Sequence, residues 1–219
     1  MTPNWRPDAG PGETEWVRGL PVPAVLVERP TTPDGTAADL DSVGSDHRHG
    51  VLLALRHLRA LGHKSVLLAA RDDTWTAHRA RAGYEEGVRL LGLAPRPVVD
   101  IQRPNLDSET VAERIAEAVA EGVRAVLVHN DQEAVQLIPL LRARGLRAPD
   151  DLALISYDDV FAALAAPPLT AVAPPKRAVG SAAVKLLLRR LDDESALPVH
   201  HIQLMPELKI RTSCGGTVV

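Results

Sequence analysis

The sequence predicts an α/β fold built on parallel sheets. Short apolar runs alternate along the chain with segments whose apolar residues recur every three or four positions, and short connections join them. The run Leu152 to Tyr157 is apolar at nearly every position, which is typical of a strand covered on both faces. Ligands gather beyond the carboxyl ends of such strands, so Asp158 is a candidate ligand contact, with a turn or helix-capping role as the alternative.

The same patterns place the other elements in order. Residues 1–20, with several Pro and Gly and no periodicity, are predicted to form a tail or loop. Strands are predicted at 22–27, 42–45, 65–70, 98–101, 125–128, 152–157, 169–172 and 202–210, and helices at about 51–61, 77–91, 107–122, 131–144 and 175–191. The last strand is apolar at every second position, which predicts one face in water.

Composition limits the classes of function. The chain of 219 residues is 45% hydrophobic and 24% charged, which is typical of a globular protein. The net charge is −3 and no stretch of the sequence concentrates Lys and Arg, so the sequence does not indicate a nucleic-acid-binding surface. The single Cys214 excludes an internal disulfide framework and a cysteine-built zinc site. Because no apolar run approaches the length of a membrane span and the start does not resemble a secretory signal, we expect a cytoplasmic protein.

One extended motif carries a family resemblance. The segment from Gly145 to Thr170, with the pattern G-L-R-x-P-D-D-L-x-L-I-x-Y-D-D followed by P-P-L-T, resembles the effector-binding module of the LacI/GalR family of transcription regulators. The resemblance covers roughly residues 20 to 213, and the order and spacing of its motifs make it specific. Further positions in register are Pro21 to Arg29, Ser42 to Asp46, His57 to His63, Thr76–Ala77, Gly83–Tyr84, His129 to Asp131, Pro175 and Gly180.

The resemblance implies a periplasmic-binding-protein-like architecture, in which two parallel-sheet subdomains are joined by three hinge crossings and the effector lies between them. Residues 21–62 with 169–192 would form the first subdomain, and 63–168 with 198–213 the second. Full-length members begin with a helix-turn-helix and about half of the first subdomain before the strand that matches 24–28. The resemblance therefore implies an incomplete first subdomain and a DNA-binding domain outside this chain.

It also implies a set of effector contacts. Asp158 matches an effector-contacting acid, and Asn130 matches a polar effector contact, with a helix cap as an equal alternative. For Asp131 the helix cap is favoured. Asp46 and His49 fall where the wall of the first subdomain would face the effector, or else in a solvated loop.

This sequence departs from the family at the position of a ligand-binding arginine, where it has Ala80. A small shift of the helix start would bring one of its neighbours, His78, Arg79 or Arg81, into the pocket; otherwise the effector is unlike the usual sugar. Trp75 could stack on a sugar ring or could simply pack. The departure leaves open whether the effector is a sugar or a related polyol or nucleoside.

Four apolar residues match the surface through which the family dimerises. They are Val135, Ile138, Phe161 and Leu164. The alternative is that some of them belong to the core, because part of any amphipathic helix faces inward. The resemblance thus predicts a homodimer.

An enzyme is the rival class. His129, Ser156 and Asp158 could form a hydrolytic set, but no G-x-S-x-G elbow surrounds the serine. Neither a G-x-G-x-x-G nor a phosphate-binding loop follows any predicted strand. The histidine pairs His47/His49 and His200–His201 lack further ligands at metal-binding spacing. We therefore expect no catalysis, no cofactor and no metal.

The predicted function is that of a ligand-sensing domain of a LacI-type transcriptional regulator, which binds a small effector and controls DNA binding through a separate helix-turn-helix. The alternative is a solute-binding protein of a sugar transporter, which has the same fold and would need an export signal. The sequence leaves open the effector, the operator and whether the effector induces or co-represses.

Overall fold

The computed structural model describes residues 16–17, 19–29, 39–101, 107–192 and 198–216. The chain divides into a smaller unit, Met1–Asp46 with Pro175–Met205, and a larger unit, His47–Pro174 with Pro206–Val219. It therefore passes from one unit to the other three times.

The larger unit contains a six-stranded sheet. Its strands are β3 (Leu67–Ala70), β4 (Val99–Asp100), β5 (Ala125–His129), β6 (Ala153–Tyr157), β7 (Thr170–Ala173) and β9 (Glu207–Lys209). They lie in the order β4-β3-β5-β6-β7-β9, and all neighbours are parallel except β7 and β9. Every residue of the two central strands β5 and β6 is buried, which explains why their sequences are mostly apolar.

Two pairs of helices cover the two faces of this sheet. Helices α1 (His47–Ala60) and α2 (Trp75–Leu91) pack against one face, and α3 (Ser108–Ala120) and α4 (Asp131–Ala143) pack against the other. Gly83 allows α2 to approach α1 closely, because a Cβ atom there would lie 2.8 Å from the Cα of Arg48. Side chains alternate along each strand, so His129 and Tyr157 face the α1–α2 side.

The smaller unit contains a three-stranded parallel sheet. Its strands β1 (Val25–Val27), β2 (Asp41–Ser45) and β8 (His201–Leu204) lie in the order β1-β2-β8. Helix α5 (Lys176–Asp192) packs its Val179, Ala183 and Leu186 against Val43 of β2. The predicted α/β class with parallel sheets is confirmed in both units.

The element placement differs from the prediction at the end of the chain. The single strand predicted over 202–210 is two strands, β8 in the smaller unit and β9 in the larger one. Pro206 lies between them and has no N–H to donate to a ladder, so continuous pairing stops there. Helix α1 and strand β7, which were expected in the first subdomain, lie in the larger unit because they pack on and pair within the six-stranded sheet. No helix in the described ranges is long and apolar enough to cross a membrane.

An ion pair anchors the amino end of β2 in the smaller unit. The Asp41 carboxylate, in a residue only 4% exposed, accepts hydrogen bonds from Arg190 Nε (2.6 Å) and Nη2 (2.8 Å) and from the backbone N–H of His200 (2.8 Å). The hydrogen bonds from Arg190 hold the pKa of Asp41 below its ordinary value of 3.8. Because the folded pKa is depressed, this carboxylate stabilises the fold fully above about pH 4, and the contribution disappears as the pH falls through the folded pKa.

We expect Asp41→Asn to destabilise the protein by about 1–3 kcal/mol at pH 7, since Arg190 and His200 lose a charged acceptor. Chemical denaturation at pH 7 and at pH 3 measures the effect, and the difference between wild type and variant should shrink at the lower pH. Asp150→Asn, at an exposed position, provides the control. An equal difference at both pH values would contradict the assignment.

Candidate functional site

The candidate site lies at the carboxyl ends of three adjacent strands in the larger unit. Strands β3, β5 and β6 are neighbours, and Ala70 pairs with His129 in register. The residues that follow them are Arg71, Asn130 and Asp158, so chain segments distant in sequence meet at one edge. This is the edge at which open parallel sheets bind ligands.

Asn130 caps helix α4. Its side-chain oxygen accepts hydrogen bonds from the backbone N–H groups of Gln132 (3.0 Å) and Glu133 (3.4 Å). The expected cap at Asp131 is therefore wrong, because Asp131 is the first residue of the helix. With the oxygen of Asn130 engaged, the NH₂ group is the part of this side chain that could serve a ligand.

Asp131 holds the loop after β6. Its carboxylate is buried, and one oxygen accepts hydrogen bonds from the backbone N–H groups of Val160 (2.5 Å), Phe161 (2.6 Å) and Ala162 (3.3 Å). These groups precede and begin a 3-10 helix, Ala162–Leu164. The carboxylate therefore fixes the loop that joins the candidate site to the helix.

Asp158 and Asp159 have unusual backbone angles at the end of β6. Their φ values are 96° and 52°, in a region that Asp tolerates better than most residues. The Asp158 N–H donates to the carbonyl of Val172 (2.9 Å), and the Asp159 carboxylate pairs with Arg211 (2.7 Å). One hydrogen bond and one ion pair thus hold the turn at both residues. They fix the backbone of the half-buried Asp158 at the end of β6.

Beside Asp158 lies a buried cluster of three rings. The Nδ1 atom of His47 is 2.9 Å from the hydroxyl of Tyr157, and the rings of His129 and Tyr157 have centroids 5.2 Å apart. Burial lowers the pKa of His129 to about 4, although the nearby Asp158 carboxylate acts in the opposite direction. The imidazole of His129 is therefore neutral at physiological pH.

The sequence indicated no ligand role for His129, which appeared in a possible hydrolytic set and in the segment His129 to Asp131 that is in register with the family. That set does not form, because side chains alternate along β6: Tyr157 faces the α1–α2 side with His129, and its neighbour Ser156 faces the other side. The available signal was the position of a histidine immediately before Asn130, at the end of an apolar strand.

The first turns of α2 hold their polar side chains in local contacts. Arg81 donates to the carbonyl oxygens of Ala70 (2.6 Å) and Arg71 (2.8 Å) and to Asp100 (2.5 Å), so it closes the ends of β3 and β4. The guanidinium of Arg79 lies 4.9 Å from the ring centre of Trp75.

The neighbours of these arginines in α2 are buried or half-buried. Ala80 is fully buried, so the position of the family's arginine is in the core. His78 is half-buried in the same turn. Arg81 binds the ends of β3 and β4, and the ligand roles expected for Arg81, His78, Arg79 and Trp75 stay predictions.

Two further candidates belong to different units. Asp46 follows β2 in the smaller unit, where its N–H donates to the carbonyl of Leu204 (2.9 Å). His49 is half-buried in the first turn of α1, in the larger unit. Their roles as effector contacts stay predictions. In the described ranges, no three His, Cys, Asp or Glu side chains are grouped so that they could hold a metal ion.

The predicted dimer residues lie on the outer side of α4 and the adjoining loop. Leu164 is 84% exposed and Phe161 is 47% exposed, whereas Val135 and Ile138 are half-buried against the core. Three of the four line a groove of about 350 Å³ together with Gln132, Gln136 and Ala165. Ile138 does not line this groove. Phe161 and Leu164 are more exposed than residues of the hydrophobic core, so the core alternative does not apply to these two.

Known proteins share this fold and parts of this sequence. Residues 55–214 match the family of periplasmic binding protein-like domains. The HTH-type transcriptional repressor PurR of Haemophilus influenzae (strain PittEE) is 31% identical over 186 residues, which cover 82% of this chain and 55% of the repressor. The chain therefore spans about half the length of the curated relatives it matches.

Two solved structures extend the comparison. One, assigned to a LacI-family transcriptional regulator from Sanguibacter keddieii, is 31% identical with a TM-score of 0.72, over 89% of this chain and 72% of that one. A regulatory protein of the LacI family from Chloroflexus aggregans has a TM-score of 0.80 at 24% identity, over 91% of this chain and 71% of that one. The second likeness supports the fold alone.

Proposed function

The chain belongs to the family of periplasmic binding protein-like domains, and from this premise we propose that it is the effector-binding domain of a LacI-type transcriptional regulator. The observation that carries the proposal is the meeting of Asn130, His129 and Asp158 at one edge of the six-stranded sheet, in a chain of this family. We place the effector at this edge.

The polar groups at the edge favour a small polyhydroxyl effector. A carboxylate accepts hydrogen bonds from sugar hydroxyls, and the NH₂ group of Asn130 donates to them. Trp75, half-buried at the start of α2, offers an aromatic face of the kind on which a sugar ring or a nucleobase stacks. We therefore assign the effector to the sugar, polyol or nucleoside class.

The relatives and the sheet geometry favour a transcriptional regulator over a transport receptor and over an enzyme. The repressor and the structure at 31% identity are both described as transcriptional regulators, which supports this function over that of a transport receptor. The separation of Ser156 from His129 on opposite faces of the sheet argues against hydrolysis. In this proposal a domain outside this chain contacts DNA, and effector binding changes operator affinity by the difference in its affinity for two states.

We expect Asp158→Asn to weaken effector binding about tenfold or more, since a charged acceptor of hydrogen bonds is lost. Asparagine is the suitable replacement because it tolerates a φ of 96°, whereas alanine there would add backbone strain. Calorimetry with D-ribose, D-xylose, D-glucose and adenosine measures the affinity of wild type and variant.

Asp150→Asn is the matched control, because this exposed aspartate precedes β6 at the opposite edge of the sheet. It should leave affinity and melting temperature unchanged. Equal affinities of Asp158→Asn and wild type for a compound that binds would remove Asp158 from the site.

A further inference from the structure

His129 is a buried polar side chain that no other described residue pairs with. The residue is only 4% exposed, and neither ring nitrogen has a hydrogen-bond partner on another of the described residues. Most buried polar groups in folded proteins are paired, so a histidine with two unsatisfied nitrogens calls for a specific explanation. Either the unpaired imidazole destabilises the fold and the surrounding packing compensates for it, or its nitrogens bind a ligand at this edge.

The position of His129 favours a bound molecule. It is the last residue of β5, at the edge where parallel sheets bind ligands. The ring of Tyr157 lies against it, and Tyr157 is itself held by His47 at 2.9 Å, so the imidazole is supported from within the protein. Asp158, one strand away, is close enough to influence its charge. The edge therefore presents a fixed neutral imidazole next to a carboxylate.

Charge at this edge disfavours an anionic ligand. Among the described residues at this edge, carboxylates outnumber guanidiniums. The carboxylates are Asp72, Asp73, Asp100, Asp131, Asp158 and Asp159, and the guanidiniums are Arg71, Arg81 and Arg211. The arginines nearby already bind protein groups: Arg71 pairs with Asp73, and Arg81 binds Asp100 and two carbonyl oxygens. A phosphate would therefore meet repulsion here without a bidentate guanidinium to offset it.

We propose that His129 is a direct effector contact that determines specificity, and that this edge selects an uncharged polyhydroxyl molecule over its phosphorylated form. The inference rests on the proposed function of the edge as an effector site. A neutral imidazole has one nitrogen that donates and one that accepts, so it can bind vicinal hydroxyls from either side. A hydroxyl next to Asp158 would donate to the carboxylate while its neighbour binds His129.

The test compares wild type, His129→Leu and Ser156→Ala in the full chain. Ser156 is the matched control because its hydroxyl is also buried and without a partner among the described residues, but faces the opposite side of the sheet. Binding is measured by calorimetry with three pairs of compounds: D-ribose and ribose 5-phosphate, D-glucose and glucose 6-phosphate, adenosine and adenosine monophosphate. Thermal unfolding without any added compound is measured in parallel.

We expect wild type to bind at least one uncharged compound about tenfold or more tightly than its phosphorylated partner, and His129→Leu to lose about tenfold or more of that affinity. Without ligand, His129→Leu should melt about 2–6 °C higher than wild type, because an unsatisfied polar group is removed. Ser156→Ala should also melt higher but retain full affinity.

Three other outcomes are distinguishable. A lower melting temperature for His129→Leu, or affinity equal to that of wild type, would overturn the role of His129 while leaving the proposed function intact. Tighter binding of a phosphorylated compound would overturn the selection against anions. A wild-type protein that binds none of the six compounds would contradict both the proposed effector class and the inference that depends on it.

Discussion

Replacing Asp131 with alanine is expected to destabilise the protein by about 3–5 kcal/mol, which is a large part of the stability of a domain this size. The buried carboxylate accepts three backbone N–H groups, from Val160, Phe161 and Ala162. Alanine would leave all three without a charged acceptor and would remove a negative charge from the amino end of α4. Denaturation monitored by circular dichroism measures the loss.

Two variants separate the contributions of Asp131. Asp131→Asn retains an oxygen in nearly the same place, so it should be destabilised by an intermediate amount if the charge strengthens the hydrogen bonds. Gln132→Ala, at the exposed next position of α4, should be close to wild type. A loss of less than about 1 kcal/mol for Asp131→Ala would mean that the loop keeps its shape by other contacts.

The error at Asp131 shows where local sequence rules end. Asn and Asp are equally good helix caps, so a sequence with Asn130 followed by Asp131 does not determine which residue caps α4. The structure decides it through the loop after β6, whose three N–H groups require a carboxylate in a fixed place. These N–H groups lie about thirty residues after Asp131, so the sequence around Asp131 gives no sign of them.

The split of the last strand has a similar cause. Apolar residues alternate from Ile202 to Ile210. The same alternation is expected for one half-buried strand in a single sheet and for two shorter strands in different sheets. Pro206 was the available signal, since it interrupts the ladder. Periodicity over shorter segments was a sufficient guide elsewhere: the five predicted helices match α1 to α5, with differences of a few residues at their ends.

The candidate site was predictable only in part. Residues at the carboxyl edge of a parallel sheet are recognised by their position after a strand more than by their residue type. Asp158 follows an apolar strand with a family motif around it, so the sequence could single it out. Arg81 is one position from the expected arginine, but its side chain is committed to the ends of β3 and β4. His129 begins a segment in register with the family, but nothing in that segment marked it as a ligand contact, and the lack of a partner on another described residue became visible only once its surroundings were known.

The exposed leucine near the candidate site supports a second prediction of large effect. We propose that the groove lined by Val135, Phe161 and Leu164 receives a second copy of this chain, as the family resemblance implies. A leucine that is 84% exposed beside an exposed phenylalanine forms a patch of the kind that marks interaction surfaces. Asp131, the first residue of α4, accepts a hydrogen bond from the backbone N–H of Phe161, so its carboxylate links this patch to the start of that helix.

Leu164→Glu should convert a dimer into a monomer, since two glutamates would be buried near one another across a symmetric contact. We expect the dissociation constant to rise about a hundredfold or more, measured by analytical ultracentrifugation. Leu90→Glu is the matched control, because Leu90 is 61% exposed on α2 and outside the groove. If both variants remain dimeric, the contact between copies lies elsewhere. If only Leu164→Glu dissociates, Leu164 lies in the contact between the two copies.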